Sequence, residues 1–134
     1  MKTQIGLWID HNQAIIVTLS EKDEMFKIVE SHVKKQLRRL GDSVLKGSFE
    51  PLQVPADDSQ QKALSNYLNT FYDEVMSNLG DAKSVLILGP GEAKGELKKR
   101  MEENKHGHLI AGVETADKMT DGQLAKHIRE FFNQ

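Results

Sequence analysis

Two acidic residues stand where carboxylates could bind a pair of metal ions. Asp10 follows the apolar run Ile5–Ile9, and Glu114 ends a second predicted strand, His108–Glu114. Two-metal hydrolysis of a phosphoester needs several converging carboxylates, and the sequence adds only Glu30, on an outer strand. A metal-dependent nuclease is therefore an alternative hypothesis. The other interpretation gives these two residues a structural role, in which Asp10 begins a turn and Glu114 caps backbone groups. That interpretation predicts no catalytic residue, no metal and no cofactor.

A glycine turn is the most specific local motif. Gly89-Pro90-Gly91 separates an apolar run from a helix that begins near Glu92. Free N–H groups and the positive end of the helix dipole therefore face the turn. With Lys94 on the first helical turn, Gly89 and Gly91 could bind a phosphate of RNA or of a nucleotide, although the spacing is not that of a P-loop. A plain strand-to-helix turn, in which glycine permits close packing, is the alternative for this motif.

A cluster of basic residues predicts binding to phosphates. Between residues 34 and 39 there are four positive charges and no acidic residue. Neutralising phosphates is what such a cluster does best, and a solvated loop or helix face is the alternative. The predicted RNA-binding residues are Lys34, Lys35, Arg38 and Arg39 in this cluster, together with Lys94 and Lys98 on the second helix.

The bulk composition limits the class of protein. The chain has 134 residues, a formal net charge of -2 and no cysteine, so disulfide frameworks and thiolate metal sites are excluded. Because the net charge is negative, affinity for RNA must come from a local patch. No apolar run approaches the ~20 residues that cross a bilayer, and the N terminus lacks the features of a signal peptide. We expect a cytoplasmic protein without a membrane partner.

The first part of the chain predicts an antiparallel meander. Three runs rich in strand-forming residues, Ile5–Ile9, Ala14–Leu19 and Met25–Val29, are separated by short polar turns. The stretch 34–57 contains glycine and proline and has no clear period, which predicts a long basic loop. We expect one domain over residues 1–134.

The second part alternates helices and strands. An apolar stripe predicts a helix over Ser59–Leu79, and the nearly all-apolar run Ser84–Leu88 is typical of a strand covered on both faces. A helix over Glu92–Glu103 and the strand His108–Glu114 follow. The capping box Thr120–Gln123 then begins the last helix.

These elements predict one mixed five-stranded sheet. A meander that feeds two right-handed crossovers gives the strand order 3-2-1-4-5, with strands 1, 4 and 5 parallel and helices on both faces. This is a three-layer α/β fold of the ribonuclease H-like type. The carboxyl ends of the parallel strands share one edge, and the winding reverses between strands 1 and 4, where ligands of such sheets tend to bind.

Several segments resemble a known family of translation proteins. The strand, Gly-Pro-Gly-Glu-Ala-Lys turn and helix of Ser84–Met101 resemble part of the middle domain of archaeo-eukaryotic class-1 peptide-chain release factors and of their relative Pelota. Leu7–His11, Gly112–Asp117 and Thr120–Leu124 are similar to small bacterial relatives of that domain, often named translational machinery proteins. The resemblance spans nearly the whole chain except 34–57, and it also implies a ribonuclease H-like fold.

One element of the release factors is missing from this sequence. In that family a Gly-Gly-Gln tripeptide in the loop after the meander triggers peptide release, and the loop 34–57 contains no such tripeptide. Pelota also lacks the tripeptide and still works on ribosomes. The resemblance therefore predicts a translation-related, non-catalytic domain whose partner is RNA or the ribosome. A small-molecule or nucleotide binder at Gly89–Gly91 and a nuclease using Asp10 and Glu114 are the alternatives.

Overall fold

The strands form one mixed sheet in the order β3-β2-β1-β4-β5, which confirms the predicted topology. The computed structural model describes residues 3–21, 23–33 and 58–133. β1, β2 and β3 are an antiparallel meander, whereas β4 runs parallel to β1 and β5 parallel to β4. The strands are β1 Thr3–Ile9, β2 Gln13–Leu19, β3 Glu24–Glu30, β4 Ala82–Gly89 and β5 Ile110–Thr115.

The two central strands, β1 and β4, are buried on both faces, as the nearly all-apolar sequence of β4 predicts for that strand. Successive side chains of a strand point to opposite faces of the sheet. Leu7 and Ile87 therefore belong to one core cluster, and Trp8 and Leu88 belong to the cluster on the other face. All four residues are at most 2% exposed.

Helices cover the two faces unequally. The helices α1, Asp58–Ser77, and α2, Ala93–Glu103, pack on one face, and the single helix α3, Asp121–Phe132, packs on the other. α3 lies so close to β1 that a Cβ atom on Gly6 would come within 2.3 Å of the Ile128 side chain. Only glycine fits at this position of β1.

The ends of several elements differ from the sequence prediction. β5 begins at Ile110 rather than His108, because Gly107–Leu109 forms a turn of 3-10 helix that the alternation of residue types does not reveal. α1 ends at Ser77 rather than Leu79, and Gly80 follows with a φ of 53°. The capping box that begins α3 is confirmed.

The predicted basic loop, residues 34–57, lies outside the described residues. Its four basic residues between positions 34 and 39 therefore lie outside them too. Within the described ranges, none of the helices is long and apolar enough to span a membrane.

Candidate functional site

The carboxyl ends of three parallel strands form one edge of the sheet, here called the upper edge. β1 ends before the turn Asp10–Asn12, β4 ends at the turn Gly89–Gly91, and β5 ends at Thr115. Winding along the sheet reverses between β1 and β4, which is the position where open α/β sheets commonly bind ligands. The residues at this edge are therefore the first candidates for a functional site.

Asp10 holds the turn between β1 and β2. Its Oδ1 atom accepts hydrogen bonds from the backbone N–H groups of Asn12, at 2.8 Å, and Gln13, at 2.9 Å. A side-chain oxygen that bonds the backbone two and three residues ahead is a common device of turns. These contacts match the structural interpretation of Asp10, which begins a turn.

Glu114 lies away from Asp10 and is paired with a histidine. One carboxylate oxygen of Glu114 is 2.7 Å from Nε2 of His127 on α3. Glu114 is aligned with Leu88 of β4, which is aligned with Trp8 of β1, so two strand spacings, about 10 Å, separate its strand from β1. Within residues 3–21, 23–33 and 58–133, no three His, Asp or Glu side chains form a group that could hold a metal ion.

The glycine turn after β4 is shaped by close packing. A Cβ atom on Gly89 would lie 2.1 Å from the carbonyl oxygen of Ile9, so glycine lets β4 end directly against β1. Gly91 has a φ of 67°, in the left-handed region that favours glycine. Nζ of Lys94 donates to the Gly91 carbonyl at 2.5 Å, and within the described residues no side chain caps the N terminus of α2. The turn thus combines a packing role with a helix N terminus that is not capped by a side chain.

A three-residue network at the upper edge was missed by sequence reasoning. Oε1 of Glu96, on α2, accepts a hydrogen bond from the Tyr72 hydroxyl at 2.5 Å and lies 3.0 Å from Nε2 of His11. Burial of Tyr72 in α1 raises its pKa well above the usual range, and the hydrogen bond to Glu96 and the charge of that carboxylate raise the pKa further. The network joins the β1–β2 turn to both helices of one face. No local motif signals it, because His11 and Glu96 are 85 positions apart.

The cationic side chains of α2 are largely engaged within the protein. Lys98 lies 3.7 Å from Glu102 one helical turn ahead. Arg100 binds Asp73 of α1 through two hydrogen bonds of 2.9 Å, which hold α1 and α2 together. Lys99 lines an open groove of about 320 Å³ between the same two helices. The structure therefore brings Lys94 to the upper edge, and it pairs Lys98 along the exposed side of α2.

Residues 31–33, which precede the predicted basic loop, lie at the upper edge. The Ser31 N–H donates to the Asn12 carbonyl at 2.9 Å, and its hydroxyl donates to the His11 carbonyl at 2.6 Å. His32 follows with a left-handed φ of 56°. Since His11 and Asn12 belong to the β1–β2 turn, residue 33 leaves the sheet at the upper edge.

Comparison with solved structures shows that this fold is shared with part of each of two larger proteins. In particular, the chain is similar to the Thermoplasma acidophilum Pelota protein, with a TM-score of 0.57 and 15% identity over 96% of this chain and 32% of that chain. It is also similar to the archaeal translation termination factor aRF1, with a TM-score of 0.55 and 15% identity over 98% of this chain and 38% of that chain.

These similarities confirm the predicted resemblance at the level of the fold. The chain spans about a third of the length of the structures it matches. No protein-family model matches the sequence, and no curated protein sequence matches it either.

Proposed function

We propose that this chain is a translation-related domain that binds RNA or the ribosome without hydrolysing peptidyl-tRNA. The observation that carries the proposal is the similarity in fold to Pelota and to a translation termination factor over nearly the entire chain. Fold alone does not define a function, so the proposal also rests on the local charge of the sequence and on the missing Gly-Gly-Gln tripeptide.

Two described features of the upper edge, together with the basic residues that come next in the sequence, support a phosphate-binding role. Ser31 contacts the β1–β2 turn at this edge, and residues 34–39 begin three positions later in the chain. The uncapped N terminus of α2 and Lys94 lie at the same edge. A helix N terminus and cationic side chains both attract anions. The proposed RNA surface therefore comprises Lys34, Lys35, Arg38, Arg39 and Lys94, with Lys98 at its margin.

The salt dependence of RNA binding tests the proposal. Each phosphate contact on single-stranded RNA contributes roughly -0.7 to the log–log slope of affinity against salt, so four contacts give about -3. Replacing Lys34, Lys35, Arg38 and Arg39 together by glutamine should flatten the slope and weaken binding alike for all RNA sequences, because phosphate contacts carry no base information. Fluorescence anisotropy with labelled RNA of two unrelated sequences measures both effects.

A matched variant separates the local cluster from the total charge. In the control variant, four exposed lysines on other surfaces are replaced by glutamine. Both variants lose four positive charges, so the formal net charge changes from -2 to -6 in each. We expect this control to retain most of the salt slope. Equal losses in the two variants, or no RNA or ribosome binding by the wild type at low salt, would overturn the proposal. The control lysines are Lys27, Lys83, Lys105 and Lys126.

A small anionic ligand at the glycine turn is the second candidate function. The side chain of Glu92, which precedes α2, does not cap the helix, and this favours the candidate because backbone N–H groups at a helix start can bind an anion. Thermal shifts with phosphate and nucleotides, compared between the wild type and Lys94→Gln, test this candidate. A shift that appears with a nucleotide and decreases in the variant, in a protein that does not bind RNA, would favour it over RNA.

A further inference from the structure

The edge strand β3 exposes an unusual amount of apolar surface. All three large hydrophobic side chains that are exposed in the described part of the chain belong to it: Met25 at 68%, Phe26 at 42% and Ile28 at 58%. β3 is also the terminal strand of the sheet. A long, apolar edge strand is a template for pairing with another strand, and exposed apolar patches of this kind mark interaction sites.

The pairing of β3 with β2 determines which backbone groups are open. The Ser20 N–H donates to the Asp23 carbonyl at one end of this hairpin, and the Ser31 N–H donates to the Asn12 carbonyl at the other. Antiparallel pairs alternate between hydrogen-bonded and non-hydrogen-bonded positions. Residues 25, 27 and 29 therefore bond to β2, and the N–H and C=O groups of residues 24, 26, 28 and 30 point outward.

Apolar side chains lie on both faces of this strand. Phe26 is aligned with Val17 of β2, and Ile28 is aligned with Ile15. The side chains of Val17 and Ile15 belong to the core cluster beneath α3, so Phe26 and Ile28 lie on that face of the sheet. Met25 points to the opposite face. A helix could cover only one of these faces, whereas an added strand contributes side chains to both and also satisfies the outward backbone groups. The arrangement therefore favours an extended partner.

A second copy of this chain fits poorly as that partner. An antiparallel β3–β3 register that pairs Phe26 with Ile28 also places Lys27 opposite Lys27 and Glu24 opposite Glu30. Like charges directly opposite each other destabilise a sheet. Shifting the register by two residues in either direction places a glutamate of one copy opposite Ile28 or Phe26 of the other.

We propose that β3 binds an extended segment of a partner protein by strand addition. The sequence Glu-Met-Phe-Lys-Ile-Val-Glu of β3 is complemented by the pattern basic-apolar-apolar-acidic-apolar-apolar-basic. This pattern is the same in both directions, so it serves a parallel or an antiparallel partner. The proposal does not depend on the proposed binding of RNA.

Lys27 is the main determinant of specificity in this interaction. A lysine on an edge strand disfavours pairing with most strands. An acidic residue of the partner directly opposite the lysine forms a favourable charge pair instead. Glu30 adds charge at one end, where its side chain is 60% exposed. Glu24 contributes less, because its carboxylate is already bound to Arg129.

Binding of designed peptides tests the proposal. A fluorescein-labelled peptide with the core Lys-Val-Ile-Glu-Ile-Val-Lys, flanked by Gly-Ser linkers, should bind the wild-type protein about tenfold more tightly than the charge-inverted core Glu-Val-Ile-Lys-Ile-Val-Glu. Lys27→Glu should weaken binding of the first peptide by about two- to fivefold and strengthen binding of the second. In NMR titrations, the amide shifts should be largest at residues 24, 26, 28 and 30.

Two further changes remove hydrogen bonds that β3 would form with the peptide. Ile28→Pro deletes an N–H group that β2 does not use, and proline is tolerated on the open side of an edge strand. It should abolish peptide binding while the melting temperature confirms folding. If that variant fails to fold, N-methylation of alternate amides in the peptide removes the same bonds without changing the protein.

Three results would overturn the proposal. Equal affinity for the two peptides would indicate nonspecific apolar contact, and an absence of binding at millimolar peptide would indicate that Lys27 only blocks pairing. Sedimentation that shows a dimer lost in Ile28→Pro would identify a second copy of the chain as the occupant.

Discussion

Tyr72 shows how one buried polar group is satisfied at the upper edge. The residue is 2% exposed, and its hydroxyl donates to the carboxylate of Glu96, which also contacts His11. Loss of the phenolic proton would place two negative charges side by side in a poorly solvated position. Burial, followed by this hydrogen bond and the carboxylate charge, therefore raises the pKa of Tyr72.

The raised pKa predicts an alkaline loss of stability. In the unfolded chain the pKa of a tyrosine is about 10. Because the folded state holds the proton more tightly, its contribution is complete below pH 10 and is lost as the pH rises towards the folded-state pKa. Denaturation by urea between pH 8 and pH 11 should show this decline in the free energy of unfolding.

Two phenylalanine variants identify the source of that decline. Tyr72→Phe should lower stability by about 2 kcal/mol at neutral pH, as expected for a hydrogen bond to a charged group, and should flatten the alkaline decline. Tyr67→Phe, at a half-buried position on the same helix, should retain the decline. An identical pH profile in Tyr72→Phe and the wild type would contradict the assignment.

At the scale of elements, the turn after β4 depends on two glycines for different reasons. A Cβ atom at position 89 would collide with the backbone carbonyl of Ile9, whereas a Cβ atom at position 91 would meet open space. The first constraint comes from the packing of β4 against β1. The second comes from the left-handed φ of Gly91 alone.

This difference predicts unequal costs for the two alanine variants. Gly91→Ala should lower the free energy of unfolding by about 1 kcal/mol, the usual cost of a left-handed conformation. Gly89→Ala should cost about 3 kcal/mol or more, because the strand ends must separate to admit the methyl group. Chemical denaturation of the two variants measures both values. Equal losses would show that the β1–β4 contact relaxes easily.

At the scale of the whole molecule, Arg129 ties the last helix to the meander. Its Nε atom is 2.5 Å from Oε2 of Glu24, and its Nη2 atom donates to the carbonyl oxygens of Ser20 and Asp23 at 3.1 and 2.8 Å. These contacts join α3 to the β2–β3 hairpin across more than 100 positions of sequence. They hold the hairpin that carries the proposed peptide-binding strand.

Loss of this tie should loosen the hairpin. Arg129→Met retains much of the side-chain volume and should lower the free energy of unfolding by about 1–2 kcal/mol, since hydrogen bonds contribute about 1 kcal/mol each and a partly exposed ion pair contributes less. Amide hydrogens of residues 20–24 should exchange faster. Lys126→Met, at an exposed position of the same helix, is the control. Unchanged exchange in Arg129→Met would contradict this role.

Local patterns in the sequence determined the elements and their arrangement. The apolar run of β4 and the tight turns of the meander predict the strand order, and the capping box predicts the start of α3. These signals depend on neighbouring residues, whose spacing reports burial and backbone bonding directly. The turn role of Asp10 is local for the same reason, because its bonds reach only Asn12 and Gln13.

Tertiary structure alone decided which distant side chains meet. Glu96 binds Tyr72 and His11, and Arg100 binds Asp73. In each of these contacts the two residues are far apart in sequence. The edge position of β3 follows from the predicted strand order, but the exposure of its apolar side chains does not. Met25, Phe26 and Ile28 stay largely in solvent, because the part of a sheet face that a helix covers is decided by contacts between elements that are distant in sequence.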